Sequence, residues 1–227
     1  DPKLSFVKIL SYCFPPHVEF KIDSTAIIHP KAQISGNVFI GANCVVGESK
    51  ISENTIIHSN VVIDDKVTIG KNVIIHPGCV IGFGGFQFVR DDDEKLARFN
   101  HYGGVTIEDN VEILTLTNIE KGTFSDTVLK AGCKIDNLCH IGHNCVIGEN
   151  TAITACTVVG GSSKIGSNSY IGLNCTIRDG ISVGENVVVG MGAVVTKDVP
   201  PKSTVVGNPA IPLDDFKLLN KKLKDLN

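Results

Sequence analysis

The feature that most constrains this chain is an aliphatic residue that returns at every sixth position. From Leu129 it recurs through Ile135, Ile141, Ile147, Ile153, Val159, Ile165, Ile171, Ile177, Val183 and Val189 to Val195 without a break. The same beat occupies Ile22, Ile28, Ile34, Ile40 and Val46, takes one five-residue step, and resumes at Ile51, Ile57, Ile63, Ile69, Ile75 and Ile81. A six-residue period is neither the 3.6 of a helix nor the 2 of a long strand. Internal repeats this short predict a β-helix, each hexad supplying a short strand and a turn. Three hexads, roughly 18 residues, would close one triangular coil, and coils would stack about 4.8 Å apart as parallel strands. With the repeated aliphatic as position i, the side chains at i and i+4 point inward, while i+2 and i+3 lie at the corners and face out. Burial of each aliphatic, worth about 1.5–3 kcal/mol, is the main term expected to hold such a fold.

Composition narrows the class further. A formal net charge of −3 supplies no global basic field to draw the chain to nucleic acid or an anionic membrane. No run of roughly 18 apolar residues spans a membrane and no signal-peptide pattern opens the chain, so a cytoplasmic protein is expected. The chain begins Asp1-Pro2 and its single methionine is Met191, which leads us to expect that a preceding segment has been removed. Of the eight cysteines, Cys44, Cys79, Cys133, Cys139, Cys145 and Cys175 all fall at i+4 and none forms a C-x-x-C pair. They read as small core residues in a reducing compartment, not as disulfides or metal ligands.

The rhythm divides the chain. Residues 1–17 read as a lead-in helix and linker, with Leu4, Phe6, Val7, Ile9 and Leu10 in a helix ended by Pro15-Pro16. Residues 18–210 form the β-helix, and 211–227 a C-terminal helix with Leu213, Phe216, Leu219, Leu223 and Leu226 at helical spacing, expected to cap the open end of the solenoid or pack on a neighbouring chain. Within the β-helix, residues 82–104 break the beat before it returns at Ile107, Ile113 and Ile119. A long excursion from a regular scaffold is usually functional, and this one gathers Phe83, Phe86, Phe88, Phe99 and Tyr102, side chains able either to stack on a ligand or to pack the loop down. Its acidic run Asp91 to Glu94 reads as a solvated tip. A second interruption lies between Ile119 and Leu129.

Two histidines stand in the hexads at 135–147. His143 falls at i+2 and projects from a corner; His140 falls at i+5 and is the weaker candidate. One coil along from His143 lies Gly161, where the missing side chain would let a ligand approach the backbone N–H. Asp126 lies about one coil before and is a candidate to orient the imidazole, with Asp136 or Asn137 as competitors. His101, in the long excursion, is a candidate to reach a site across a subunit boundary.

The segments Gly82 to Phe88, Thr117 to Gly122, Ser125-Asp126-Thr127 and Ile135 through Asn144 resemble the UDP-3-O-(3-hydroxyacyl)glucosamine N-acyltransferases of lipid A synthesis. Gly190 to Pro200 and Gly207-Asn208-Pro209-Ala210 resemble the acetyl-CoA-dependent sugar acetyltransferases. Both belong to the hexapeptide-repeat acyltransferases, and the resemblance implies an all-β fold: a left-handed parallel β-helix with a long extruded loop and short terminal helices. It implies a homotrimer with sites between subunits, His143 as catalytic base, and Gly161 as the backbone donor to the oxyanion and a contact of the acyl donor. The donor it implies is acyl-CoA, acetyl-CoA foremost, or acyl carrier protein, with Gly190, Gly192, Asn208 and Pro209 toward the coenzyme and no metal. Phe83, Phe86, Phe88, His101, Tyr102, Asn137 and Asn144 are the expected contacts of a nucleotide-sugar acceptor.

The sequence departs from these relatives in three ways. The lipid A enzyme carries a uridine-binding domain before its β-helix and a second histidine several hexads after the base, and neither is present here. The amino-sugar acetyltransferases often follow the base with an acid, where this chain has Asn144. The expected activity is transfer of an acyl group to the amine of a nucleotide-linked amino sugar. Alternatives are the lipid A pathway N-acyltransferase without its N-terminal domain, a sugar O-acetyltransferase, a metalloenzyme of the γ-carbonic-anhydrase type, or a structural β-helix.

Overall fold

The computed structural model describes residues 1–14 and 19–224. Hexads become two-residue strands joined by tight corners, and three strands make one coil. Among the described residues the strands stack into three sheets. The first face has nine strands, from Ile27–Ile28 to Val194–Val195; the second has eight, from Gln33–Ile34 to Ser182–Val183; the third has ten, from Phe39–Ile40 to Thr204–Val206 with Ile211–Pro212 added antiparallel at its end. All other pairings between coils are parallel, as in Ile135↔Ile153 and Ile141↔Val159, with a register shift between Ile81 and Phe83 where Val80–Gly84 meets Asn118–Lys121.

The interior follows the predicted register. Ile40, Ile57, Ile75, Ile113, Ile135 and Ile153 form one aliphatic column at 0–1% exposure, and the six i+4 cysteines are buried beside such columns as free thiols. The thiols of Cys44, Cys79, Cys139, Cys145 and Cys175 donate to carbonyls of the following coil, as Cys145 does to Gly160, and burial pushes the Cys145 thiol up to about 12. Cys13 and Cys156 are exposed. At i+3 the chain turns through the left-handed region, which Asn tolerates better than most residues. Asn37, Asn54, Asn72, Asn110, Asn144, Asn150 and Asn168 all sit there with φ of 53–60°.

Both interruptions leave the solenoid at the corner between first and second faces, on consecutive coils. The earlier one, expected as a loop, is an arm: Val80–Gly84 continues the first face, Phe88–Arg90 pairs antiparallel with Leu96–Arg98, and the chain returns as Val105–Ile107 on the second face. Asp91–Glu94 forms its exposed tip. The later one is a compact turn over 121–126, between strands Asn118–Lys121 and Thr127–Leu129.

Helix α1 (Pro2–Cys13) begins at Asp1, whose carboxylate accepts from the Lys3 and Leu4 amides, and its residues are exposed. The Pro15-Pro16 stop expected from the sequence lies outside the described residues, as does Leu226. Helix α2 (Leu213–Lys224) packs against the last two strands of the third face, at the end of the solenoid.

Candidate active site

Four successive coils deliver one group each to the first–second corner: the arm after Ile81, the turn after Ile119, His143 after Ile141, and Gly161 after Val159. His143 is half-buried there, and its orientation is fixed by its neighbour in sequence. His143 Nδ1 lies 3.0 Å from Asn144 Oδ1. The Asn144 amide is itself pinned. Its oxygen accepts from the Thr123 N–H at 3.0 Å and from the Thr123 hydroxyl at 2.8 Å, and its nitrogen donates to the Ser125 hydroxyl at 3.1 Å. An N–H can only donate, so the atom facing Thr123 is oxygen and Nδ1 of His143 carries the proton in the neutral ring. Nε2 is thereby left with its lone pair, the form a general base requires.

Nε2 lies over Gly161. A Cβ built there would come 2.5 Å from Nε2 and 2.7 Å from Cε1, so only glycine lets the imidazole occupy this position. At three other corners an acidic side chain at i+1 of the preceding coil takes the i+2 amide: Glu108 accepts from Ala131, Glu120 from His143, and Asp136 from Ala155. The residue one coil below Gly161 at i+1 is Gly142, which has no side chain. Among the described residues the Gly161 N–H donates to no acceptor, beside the free nitrogen of His143.

Other candidates divide by location. Asp126 does not orient the ring: its two carboxylate oxygens accept from the Gly104 amide and the Thr106 hydroxyl. The turn inserts four extra residues into this coil, since Ile119 pairs with Ile141 at a separation of 22 and not 18, and that carries Asp126 past the corner. Asp136 and Asn137 belong to the corner between third and first faces, where Asn137 accepts from the Thr115 amide, so neither orients His143. Gly190 and Gly192 share that other corner. Pro209, next to Asn208, instead lines a cleft of about 340 Å³ with Thr196, Lys197 and Asp198, on the His143 corner two coils beyond Gly161.

The arm brings its aromatics to the corner in two groups. Phe86 packs on Phe88 at 4.9 Å, with the Arg98 guanidinium 5.5 Å above Phe88, while Phe83 is 45% exposed. Tyr102 lies stacked with Phe124 at 6.1 Å, both largely exposed, beside a cleft of about 310 Å³ that also touches Lys50, Lys66 and Asp126. His101 packs against His143 of its own chain, ring centroids 5.0 Å apart.

Sequence reasoning missed Glu120, Thr123 and Ser125. Glu120 Oε2 accepts from the His143 amide and Oε1 lies 3.6 Å from His140 Nε2, so one carboxylate holds the backbone of the base and a neighbouring imidazole. Its signal was an acidic residue at i+1 one coil before the histidine. Thr123 and Ser125 lie inside an insertion, where counting hexads says nothing about what they face. Among the described residues no cluster of three or more His, Cys, Asp and Glu side chains is arranged to hold a metal ion, and no helix is long and apolar enough to cross a membrane.

Comparisons with known proteins agree with the fold and bear on its chemistry. The family description "Bacterial transferase hexapeptide (six repeats)" matches residues 48–82 and 126–161, and "Hexapeptide repeat of succinyl-transferase" matches 163–197. A UDP-3-O-acylglucosamine N-acyltransferase of Coxiella burnetii is 33% identical over 158 residues, 61% of this chain and 46% of that protein. One of Polynucleobacter asymbioticus is 34% identical over 110 residues, 47% of this chain and 30% of its own length. The chain thus spans about half or less of these curated relatives. The solved UDP-N-acetylglucosamine O-acyltransferase of Moraxella catarrhalis superposes with a TM-score of 0.76 at 28% identity, over 88% of this chain and 77% of that one. Coils of opposite hand could not superpose over such a length, and the solenoid is the left-handed β-helix of these acyltransferases.

Proposed function

We propose, from a chain that is a hexapeptide-repeat left-handed β-helix of the acyltransferase type, that it moves an acyl group from a thioester to the amine of a nucleotide-linked amino sugar, with His143 as general base. The observation that carries this reading is the pairing of an unprotonated Nε2 with an unclaimed backbone N–H at one corner. Acyl transfer needs those two groups side by side. As the sugar amine attacks the thioester carbonyl, Nε2 takes the proton from nitrogen, and the Gly161 N–H donates to the oxygen on which negative charge develops. Collapse of the tetrahedral species breaks the C–S bond, and the proton held on Nε2 passes to the departing thiolate.

The substrates follow the corner in both directions. Toward the C-terminus, the cleft at Lys197 and Pro209 lies two coils, about 10 Å, beyond Gly161, in the range of the pantetheine arm that acyl-CoA and acyl carrier protein share; of the two donors our reading takes acyl-CoA, acetyl-CoA foremost. Toward the N-terminus, Tyr102 and Phe124 offer an aromatic face for a base, with Lys50 and Lys66 near it for phosphate. The curated relatives are named for N-acylation of a UDP-linked glucosamine, which favours an amine acceptor. The protein works as a homotrimer in the cytoplasm on this reading. Exposed Leu116, Leu138, Leu173 and Met191 form an apolar ridge along the third–first corner that a second copy would cover.

The test is product analysis. Purified protein, acetyl-CoA and UDP-glucosamine should release thiol in step with an acetylated sugar nucleotide whose new bond mass spectrometry assigns to nitrogen. An ester product would exclude N-acylation, and thiol release without acceptor consumption would exclude the transferase.

A further inference from the structure

The mechanism so far uses one imidazole, yet two lie in the site. His101 is 8% exposed, and neither Nδ1 nor Nε2 has a hydrogen-bond partner. Buried polar groups are nearly always paired, because desolvating one without return is costly. A leucine would fill this space without that penalty. His101 is nevertheless firmly held: its neighbours Tyr102 and Gly103 donate their amides to Thr123 and Gly122, and Gly104 donates to Asp126, so the foot of the arm is laced to the turn that also pins Asn144. The charged and titratable groups facing it are His143, Glu120, Arg98 and Lys121, and burial together with His143 lowers its affinity for a proton of its own.

Its separation from His143 is informative. A hydrogen bond between two imidazole nitrogens spans about 2.9 Å, and with the ring radii added the centroids of such a pair stand roughly 5 Å apart. The two rings are 5.0 Å apart, tilted at 62°. They are at bonding range but turned out of the bonded orientation.

We propose that His101 is a positioning residue acting through His143: when Nε2 takes the proton of the attacking amine, the resulting N–H donates to a lone pair of the neutral His101 ring. The bond holds the imidazolium in place until its proton passes to the departing thiolate. The cost of leaving His101 unpaired in the resting protein is the counterpart of having an acceptor ready during turnover. This inference rests on the acyltransferase reading above.

The experiment combines melting temperature with the kcat and KM of thiol release, using acetyl-CoA and UDP-glucosamine, for wild type, His101→Leu, His101→Gln and His143→Ala. His101→Leu removes two unsatisfied nitrogens and should melt about 2–4 °C higher, while kcat falls about 10- to 100-fold at unchanged KM. His101→Gln, which restores an acceptor oxygen, should recover part of kcat. Wild-type kcat in His101→Leu, or parallel loss of kcat and melting temperature that glutamine does not relieve, would overturn the proposal while leaving His143 in its role. Absence of thiol release by wild type, or full activity in His143→Ala, would overturn the reading and the inference together.

Discussion

At the scale of single residues the site is a set of choices about what is missing. Gly142 lacks the carboxylate that Glu120 and Asp136 present to the amides of His143 and Ala155, and Gly161 lacks the Cβ that would displace the imidazole. Asn144 serves twice, taking the left-handed corner at φ 59° and fixing the His143 tautomer. Gly161→Ala isolates one of these choices. Gly161 is outside the positive-φ region and the atoms its Cβ would meet belong to the end of a side chain, so the coil should fold normally with the ring pushed aside. We expect kcat to fall about a hundredfold or more, the scale on which losing an aligned base or oxyanion donor is felt, with the melting temperature nearly unchanged. Thiol-release kinetics beside a thermal melt would check this, and wild-type kcat would contradict it. His143 and Gly161 could be paired from the sequence because the hexad count between them is unbroken. Asp126 was misjudged because the count crosses an insertion of unknown geometry.

At the scale of elements, the solenoid was legible and the excursions were not. A period of six with glycine and asparagine after the aliphatic dictates strand, corner and inward columns, whereas the arm at 82–104 follows no repeat. Its aromatics marked it as functional, but the antiparallel pairing of Phe88–Arg90 with Leu96–Arg98 and the inward turn of His101 depend on contacts with the 121–126 turn. The elements also set a pH response. On the third face His58 stacks on His76 at 5.1 Å with Phe39 at its edge, and His76 pairs with Glu112; burial, then His76, holds His58 below the ordinary histidine range. His101 is lowered in the same direction, chiefly by burial. A histidine with a lowered folded-state value binds fewer protons folded than unfolded, so its contribution is fully present above about pH 6.5 and is lost as pH falls through that value toward the folded one. The melting temperature should therefore be level near pH 8 and decline as the pH falls below about 6.5, and His58→Leu together with His101→Leu should flatten the decline. An equal slope in the double variant would exclude these two histidines as its source.

At the scale of the whole molecule, the stacked coils act as a ruler. Parallel register repeats the corner at a fixed rise, so groups on distant stretches of sequence align along one edge: the aromatic face of Tyr102 and Phe124, then His143, then Gly161, then the cleft at Lys197 and Pro209. On our reading a nucleotide sugar and an acyl thioester meet end to end at His143 along this edge, each drawing binding from a different set of coils, and the buried aliphatic columns keep the meeting point rigid. The measurement that bears most directly on this account is the rate of thiol release from acetyl-CoA in the presence of UDP-glucosamine, for wild type and His143→Ala at matched folding. Loss of the base should lower kcat about 10²- to 10⁴-fold with little change in the melting temperature; turnover undiminished in His143→Ala would contradict it.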